Sequence, residues 1–292
     1  MKQKILPYLL LAPMMLIMGV LVFYPIAATF SYSLKKWKLT APGDIRFIGF
    51  DNYKNILKSE SFWYSLQNTL FLLVLVVVAT SILGVLVSLF LNIQVKGAGI
   101  LLAVAVLPWA LPPYVNGILW RFVFHSGYGF MNKVLIGLGM VDKPVEWLTS
   151  RWMLLVVVAI VVVWRSVPFM ALVCLAGRQS IPHGLYEAAK IDGATKTQAL
   201  RRITIPMVMP SFTICLFLTL TNSFKLFDQN LALTAGGPGR QTSMLALDIY
   251  STFYGRVGWE GGGQAKAVVF FIMVAVIALT QLYITRRKEV EN

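Results

Sequence analysis

The chain has 292 residues, of which 58% are hydrophobic and 13% charged, with a formal net charge of +14 and a mean hydropathy of +0.72. Soluble domains carry about a quarter charged residues; here the apolar residues are also gathered into long blocks, which excludes an ordinary soluble fold and points to a membrane protein. Lys and Arg fall in short clusters beside those blocks rather than along one stripe, so they read as flanking charge on membrane helices and not as a nucleic-acid surface.

A span needs about 20 mostly apolar residues, and six segments qualify. The first, Tyr8–Phe30, has Pro13 and Pro25 inside or near its ends. It is too long for the apolar core of a signal peptide, so it is expected to persist as an anchor. Thr69–Leu91 is uncharged and rich in Val and Leu. The third, Gly99–Phe124, contains Pro108, Pro112 and Pro113. Each proline removes a backbone donor, and in lipid the freed carbonyls need a neighbouring helix or a wet cavity. A bent helix along a transport pathway is expected there, with a packing kink as the alternative. Trp152–Ala176 carries one charge, Arg165. The fifth span, Met207–Phe227, ends in the polar run Thr219, Thr221, Asn222 and Ser223. Ala265–Ile284 closes the set and is followed by Arg286, Arg287 and Lys288.

Six spans place both termini on one side. The density of basic residues at Lys2, Lys4, Lys96, the 177–206 loop and the C-terminal tail assigns that side to the cytoplasm, against which Lys35, Lys36 and Lys38 argue. No Gly-x-x-x-x-Gly-Lys-Ser/Thr loop occurs, and Gly236-Gly237-Pro238-Gly239 lacks the lysine. The chain is therefore not expected to be an enzyme on its own or to bind a cofactor. Cys174, Cys215, His125 and His183 show no metal-ligand spacing, so no metal is expected. Acidic residues, which ion-coupled secondary transporters often carry within spans, are nearly missing from these six; a secondary transporter is the alternative class, and a membrane scaffold a third.

The loop between the fourth and fifth spans reads as ordered. Leu185–Ile191 is a run of helix formers stopped by Asp192-Gly193, glycine being the residue that leaves a helix cheaply through a left-handed conformation. Thr195 and Gln198 then form a capping-box pattern opening a second helix toward Pro206. Pattern alone leaves two readings open, a force-transmitting elbow and a well-capped connection.

Glu187-Ala188-Ala189, then Ile191-Asp192-Gly193-Ala194 and Ile203-Thr204-Ile205-Pro206, resemble the EAA signature of permeases in binding-protein-dependent ABC importers. Ser180-Ile181-Pro182 and Pro210 are similar to the sugar-importing branch, of the maltose and glycerol-3-phosphate type, first permease of the pair. Leu11-Ala12-Pro13, Tyr24-Pro25, Gly49 through Tyr53, Asn68-Thr69, Pro108 through Trp120, Gly129 through Asn132, Thr234 through Pro238, Thr242 and Ile249-Tyr250 extend the likeness over nearly the whole chain.

The resemblance implies an all-α, six-span type I importer permease in the cell membrane, the inner one where the source has two, with both termini cytoplasmic. Residues 1–64 would form the first span and outer loop, 65–285 a five-helix core with coupling loop 177–206, and 286–292 a cytoplasmic tail. Its partners would be a second, non-identical permease, two ATPase subunits holding ATP and magnesium, an extracytoplasmic solute-binding protein, a sugar and membrane lipid. Glu187, Ala188, Ala189, Asp192, Gly193 and Pro206 would couple to the ATPase, and Gly236, Gly237 and Pro238 would meet the binding protein.

Sugars offer hydroxyls to amides and apolar faces to aromatic rings, which selects Asn116, Trp120, Arg165, Asn222, Lys225 and Asp228 as pathway candidates. A charge such as Arg165 near the bilayer centre costs about 2.5–3.5 kcal/mol on lenient scales. It is therefore either a substrate contact or a structural pair or carbonyl cap beside Pro168. Arg165 and Lys225 favour an anionic solute such as a phosphorylated or acidic sugar; a neutral sugar is the other possibility.

Overall fold

A computed structural model describes residues 2–91 and 98–286; Lys96, Arg287 and Lys288, counted above in the charge balance, lie outside the described residues. The chain is mostly helical. It divides into two compact units, Met1–Trp63 with Asp248–Met273, and Tyr64–Leu247 with Val274–Asn292.

In the first unit, α1 (Lys2–Met18) passes through a π-turn at Gly19–Phe23 into α2 (Tyr24–Ser33) without a break. Pro25 follows directly on that π-turn, at the second position of α2, so the donor it lacks falls where the regular α-helical ladder is already altered. An antiparallel hairpin follows, β1 (Lys35–Lys38) on β2 (Ala41–Phe47), with an irregularity between Lys36 and Lys38. This hairpin is the departure from an all-α chain, and it holds the Lys35, Lys36 and Lys38 that counted against the charge assignment above. Asn52, on α3 (Asp51–Leu57), donates to the carbonyls of Ser33 at 2.8 Å and Lys35 at 2.9 Å.

The same unit holds most of α13 (Leu245–Gly255) and the first half of α14 (Glu260–Arg286). Asp248 and Lys266 form a buried ion pair at 2.5 Å, with Thr252 accepting from the ammonium at 3.0 Å. Glu260, also buried, accepts from the Leu39 amide at 2.9 Å. Gly261 is required where the backbone closes in: a Cβ there would lie 2.2 Å from the Lys35 carbonyl oxygen.

The second unit contains α4 (Glu60–Leu91) from Tyr64 onward, α5 (Ala98–Ala110), α6 (Pro113–Val123), α7 (Phe130–Gly137) and α8 (Arg151–Gln179). It continues through α9 (His183–Ile191), α10 (Lys196–Ala199), a π-turn at Leu200–Thr204, α11 (Ile205–Phe224) and α12 (Asp228–Thr234). At its centre, α8 is capped by the Ser150 side chain and buries Leu154, Leu155, Val157, Val158, Val161 and Val162. Val is a mediocre helix former in water, but in lipid the backbone must bond internally, so a valine-rich run stays helical. An apolar cluster of Leu72, Val76, Phe124, Leu233 and Met244 packs on it.

Among the described residues, five helices are long and apolar enough to cross a membrane, and a sixth span counts if the bent pair α5–α6 is taken as one. That third span is broken rather than curved: its two halves meet at 103° around Leu111 and Pro112. The fifth begins earlier than its apolar stretch suggests, because the helix runs unbroken from Lys196 to Phe224. Gly177 of α8 lets α11 approach, since a Cβ there would lie 2.5 Å from Ser211 Oγ and 2.9 Å from Ser211 Cβ. Small residues drive such contacts in membranes, where apolar burial is no advantage. Gly177→Val is expected to destabilise the solubilised protein by about 1–3 kcal/mol through overpacking, lowering its thermal midpoint, with Ser211→Gly restoring part of the loss.

Candidate functional site

Two features stand out, one at each end of the helix Lys196–Phe224. At its start is an elbow. Helix α9 ends when Gly193 takes φ +76°, with the amides of Asp192, Gly193 and Ala194 donating to Ala188, Lys190 and Ala189 carbonyls. The left-handed glycine is what satisfies the last carbonyls and reverses the chain. The capping box is fully formed: Thr195 N donates to Gln198 Oε1 at 2.7 Å, and Gln198 N to Thr195 Oγ1 at 3.3 Å. Tyr186 OH and Thr204 Oγ1 share a hydrogen bond of 2.8 Å, which braces α9 against the π-turn.

Glu187, Ala188, Asp192 and Gly193 are exposed on this elbow and Ala189 is half-buried. Pro206 stands apart from them, in the first turn of α11. Ile191 is 86% exposed, a large apolar side chain held into solvent at the tip of a rigid turn. Its exposure and the Tyr186 brace both escaped the sequence reading, since neither is a local pattern. A shallow pocket of about 300 Å³ lies beside the turn, lined by Ala189, Asp192, Gly193, Gln198 and Arg202 among others.

At the other end of the helix is a polar cavity of about 230 Å³. Arg165 and Ser166 of α8, Thr219, Asn222 and Ser223 of α11, Lys225, and Asp228 and Gln229 of α12 line it, with Trp109 and Pro113 from the broken span. Arg165 Nε donates to the Leu111 carbonyl at 3.3 Å. It is therefore a carbonyl cap, at the break in the third span rather than beside Pro168, and a cavity wall at once. The lining carries two cations and one carboxylate.

The structure thus brings together Arg165, Asn222, Lys225 and Asp228. Trp120 and Asn116 line no part of this cavity. Trp120 stacks on Phe124 at 5.4 Å and meets Trp164 edge-on at 5.3 Å, which makes it a packing ring. Asn116 is fully buried beside Gly117, where a Cβ would lie 2.7 Å from Ala232 Cβ of α12; among the described residues neither Nδ2 nor Oδ1 of Asn116 has a hydrogen-bond partner. Ser166, Thr219, Ser223 and Gln229 were missed as wall residues; the polar run Thr219–Ser223 was the visible signal for two of them.

The 234–243 loop is a third, smaller feature. Ala235, Gly236, Gly239 and Arg240 all have positive φ, and the Gly237–Pro238 bond is cis. Thr242 Oγ1 donates to the Gly237 carbonyl, and Asn230 Oδ1 accepts from Met244 N at 3.1 Å. Pro238 and Gly239 are exposed at the tip, Gly237 is half-buried and Gly236 is buried against Ser243. His125 stacks on Tyr128 at 3.6 Å, and Cys174 and Cys215 are buried free thiols.

Residues 80–290 match the family described as binding-protein-dependent transport system inner membrane component. The chain is 34% identical to the trehalose/maltose transport system permease protein MalF of Thermococcus litoralis, over 98% of this chain and 95% of that one. It is 33% identical to the probable starch degradation products transport system permease protein AmyD of Thermoanaerobacterium thermosulfurigenes, over 99% and 97%. With the sulfoquinovosyl glycerol transport system permease protein SmoG of Agrobacterium fabrum it shares 32%, over 98% and 92%. Among solved structures, a bacterial ABC transporter involved in import of the acidic polysaccharide alginate superposes with a TM-score of 0.83 at 24% identity, over 98% of this chain and 96% of that one. That likeness is one of fold.

Proposed function

This chain belongs to the family of binding-protein-dependent transport system inner membrane components and is the multi-pass permease of an ABC importer, and we propose that it moves a carbohydrate through the Arg165 cavity under the control of the elbow at Glu187–Gly193. Membership removes the ion-coupled secondary transporter as an alternative. In this family the ATPase is a separate subunit.

One observation carries the proposal: the exposed elbow and the polar cavity are the two ends of one uninterrupted helix, Lys196–Phe224. Movement imposed at one end reaches the other without a joint. On this reading the elbow faces the cytoplasm, as do both termini, and seats in a groove on an ATPase subunit of a pair that binds ATP and magnesium. Ala188 and Ala189 allow close approach, Glu187 meets a basic group that fixes register, and Ile191 fills an apolar socket of the kind that concentrates binding energy. Residues 65–285 act as the moving core, beside a second, non-identical permease, with 1–64 as an additional anchor. On the outer face, Gly237 and Pro238, supported by buried Gly236, meet the solute-binding protein.

A carbohydrate is supported by two lines. Relatives at 32–34% identity carry names of trehalose/maltose, starch-product and sulfoquinovosyl glycerol systems. The cavity supplies an amide, hydroxyls and the Trp109 ring, which suit sugar hydroxyls and the apolar face of a pyranose. A second reading, an acidic sugar, rests on Arg165 and Lys225 outnumbering Asp228 in the wall. Solute-stimulated ATPase activity of the reconstituted complex, run across neutral and acidic sugars, separates the two; no response to any sugar removes both.

Glu187→Ala and Gly193→Pro are each expected to abolish uptake while membrane insertion persists, the second because proline cannot adopt φ +76°. Normal uptake by both variants would remove the elbow from the mechanism. Arg165→Met and Asn222→Ala are expected to weaken the apparent affinity for solute about tenfold, equivalent to about 1.4 kcal/mol. Unchanged affinity and turnover in both would place the solute route elsewhere.

A further inference from the structure

Where α8 ends and the helix from the elbow begins its crossing, three helices leave an apolar groove of about 300 Å³. Val85 and Leu89 of α4 form one wall, and Val208, Met209 and Phe212 of α11 another. Arg178, in the last turn of α8, borders the groove. It is half-buried, and its guanidinium has no hydrogen bond or ion pair among the described residues. The α8 C-terminus offers a partial negative charge, too little to answer a full cation in a low-dielectric setting. Leu200 and Thr204 of the π-turn also line the groove, and Arg201 and Arg202, exposed on that same turn, add positive charge at this level.

An apolar cleft with an unanswered cation at its rim is complementary to an amphiphile with an anionic head. Basic pockets between membrane helices on the cytoplasmic side bind lipid phosphates for this reason. Water does not suit the space, because apolar cavities stay dry; an apolar helix alone would fill it and leave Arg178 uncompensated. We propose that this groove binds one anionic phospholipid, an acyl chain lying against Val85, Val208 and Phe212 and the phosphate on Arg178. The lipid then sits between the end of α8 and the root of the elbow helix. If the elbow transmits force as described above, the lipid adjusts how freely that helix swings; lipid binding itself does not depend on that reading.

The assembled transporter, purified in detergent, can be titrated with phosphatidylglycerol and phosphatidylcholine of matched chains and its bound lipid counted by native mass spectrometry. Phosphatidylglycerol is expected to be retained at least tenfold more strongly. Arg178→Gln should erase the preference, and Val208→Trp, which fills the groove while leaving Arg178 intact, should remove the adduct. Inorganic phosphate should not displace it. Equal retention of both lipids by the unaltered protein, a preference surviving in both variants, or displacement by phosphate alone would each overturn the proposal. Neither uptake nor ATP hydrolysis enters the readout, so a failed lipid site and a failed transport reading give different results.

Discussion

Lipid offers the polypeptide backbone no partner, and in the third span that constraint is met at one place. Pro112 and Pro113 supply no amide donors to continue the ladder, the helix stops at Ala110, and among the described residues no backbone amide bonds the Leu111 carbonyl at the break, a costly state in an apolar medium. Arg165 answers it, with Nε at 3.3 Å. The charge, which would be costly in a span on its own, is tolerated because this bond and a polar cavity share it. Helix break, intramembrane cation and cavity are therefore one feature. Removing any one of them makes the other two expensive.

Elsewhere the same need is met by amide side chains used as clamps. Asn68 donates to the carbonyls of Gln241 and Ser243 and accepts from Arg151. Asn132 closes the segment before α8 by bonding Ser126, Val145 and Trp147. Asn230 holds Thr242 and Met244 under the glycine-rich loop. Each side chain satisfies several backbone groups where water is scarce, so its loss would orphan more than one partner. The buried Asp248–Lys266 pair plays a comparable part in the other unit, at the cost of desolvating two charges.

Membrane character was readable from composition, because a chain so poor in charge has no soluble way to bury its apolar blocks. The elbow was readable too, since a glycine stop and a Thr–Gln capping box are local chemistry. What lay beyond reach was anything requiring distant partners. Asn68 and Asn132 drew attention only as family likeness, and the clamp role of Asn68 depends on segments far along the chain. Ser and Thr within spans commonly serve as interhelical glue, and only the fold brings Ser166, Thr219 and Ser223 to one wall with Arg165. Asn116 and Trp120 show the opposite case: their chemistry suits a sugar, but burial beside α12 and stacking on Phe124 place them away from this cavity. The hairpin at Lys35–Phe47 was hidden because three lysines dominated its signal.

The π-turn at Leu200–Thr204 has a consequence of its own for the continuous helix it lies within. Such a turn holds one more residue than a regular one, and each residue of an α-helix advances its faces by about 100°. Everything from Ile205 onward is therefore rotated by that angle relative to the elbow. The direction in which Thr219, Asn222 and Ser223 point is a matter of angular phase, set some fifteen residues before the cavity they line. The helix thus acts as an indexed shaft as well as a strut: tightening that wide turn would dial the polar face away from Arg165 without moving the helix axis at all.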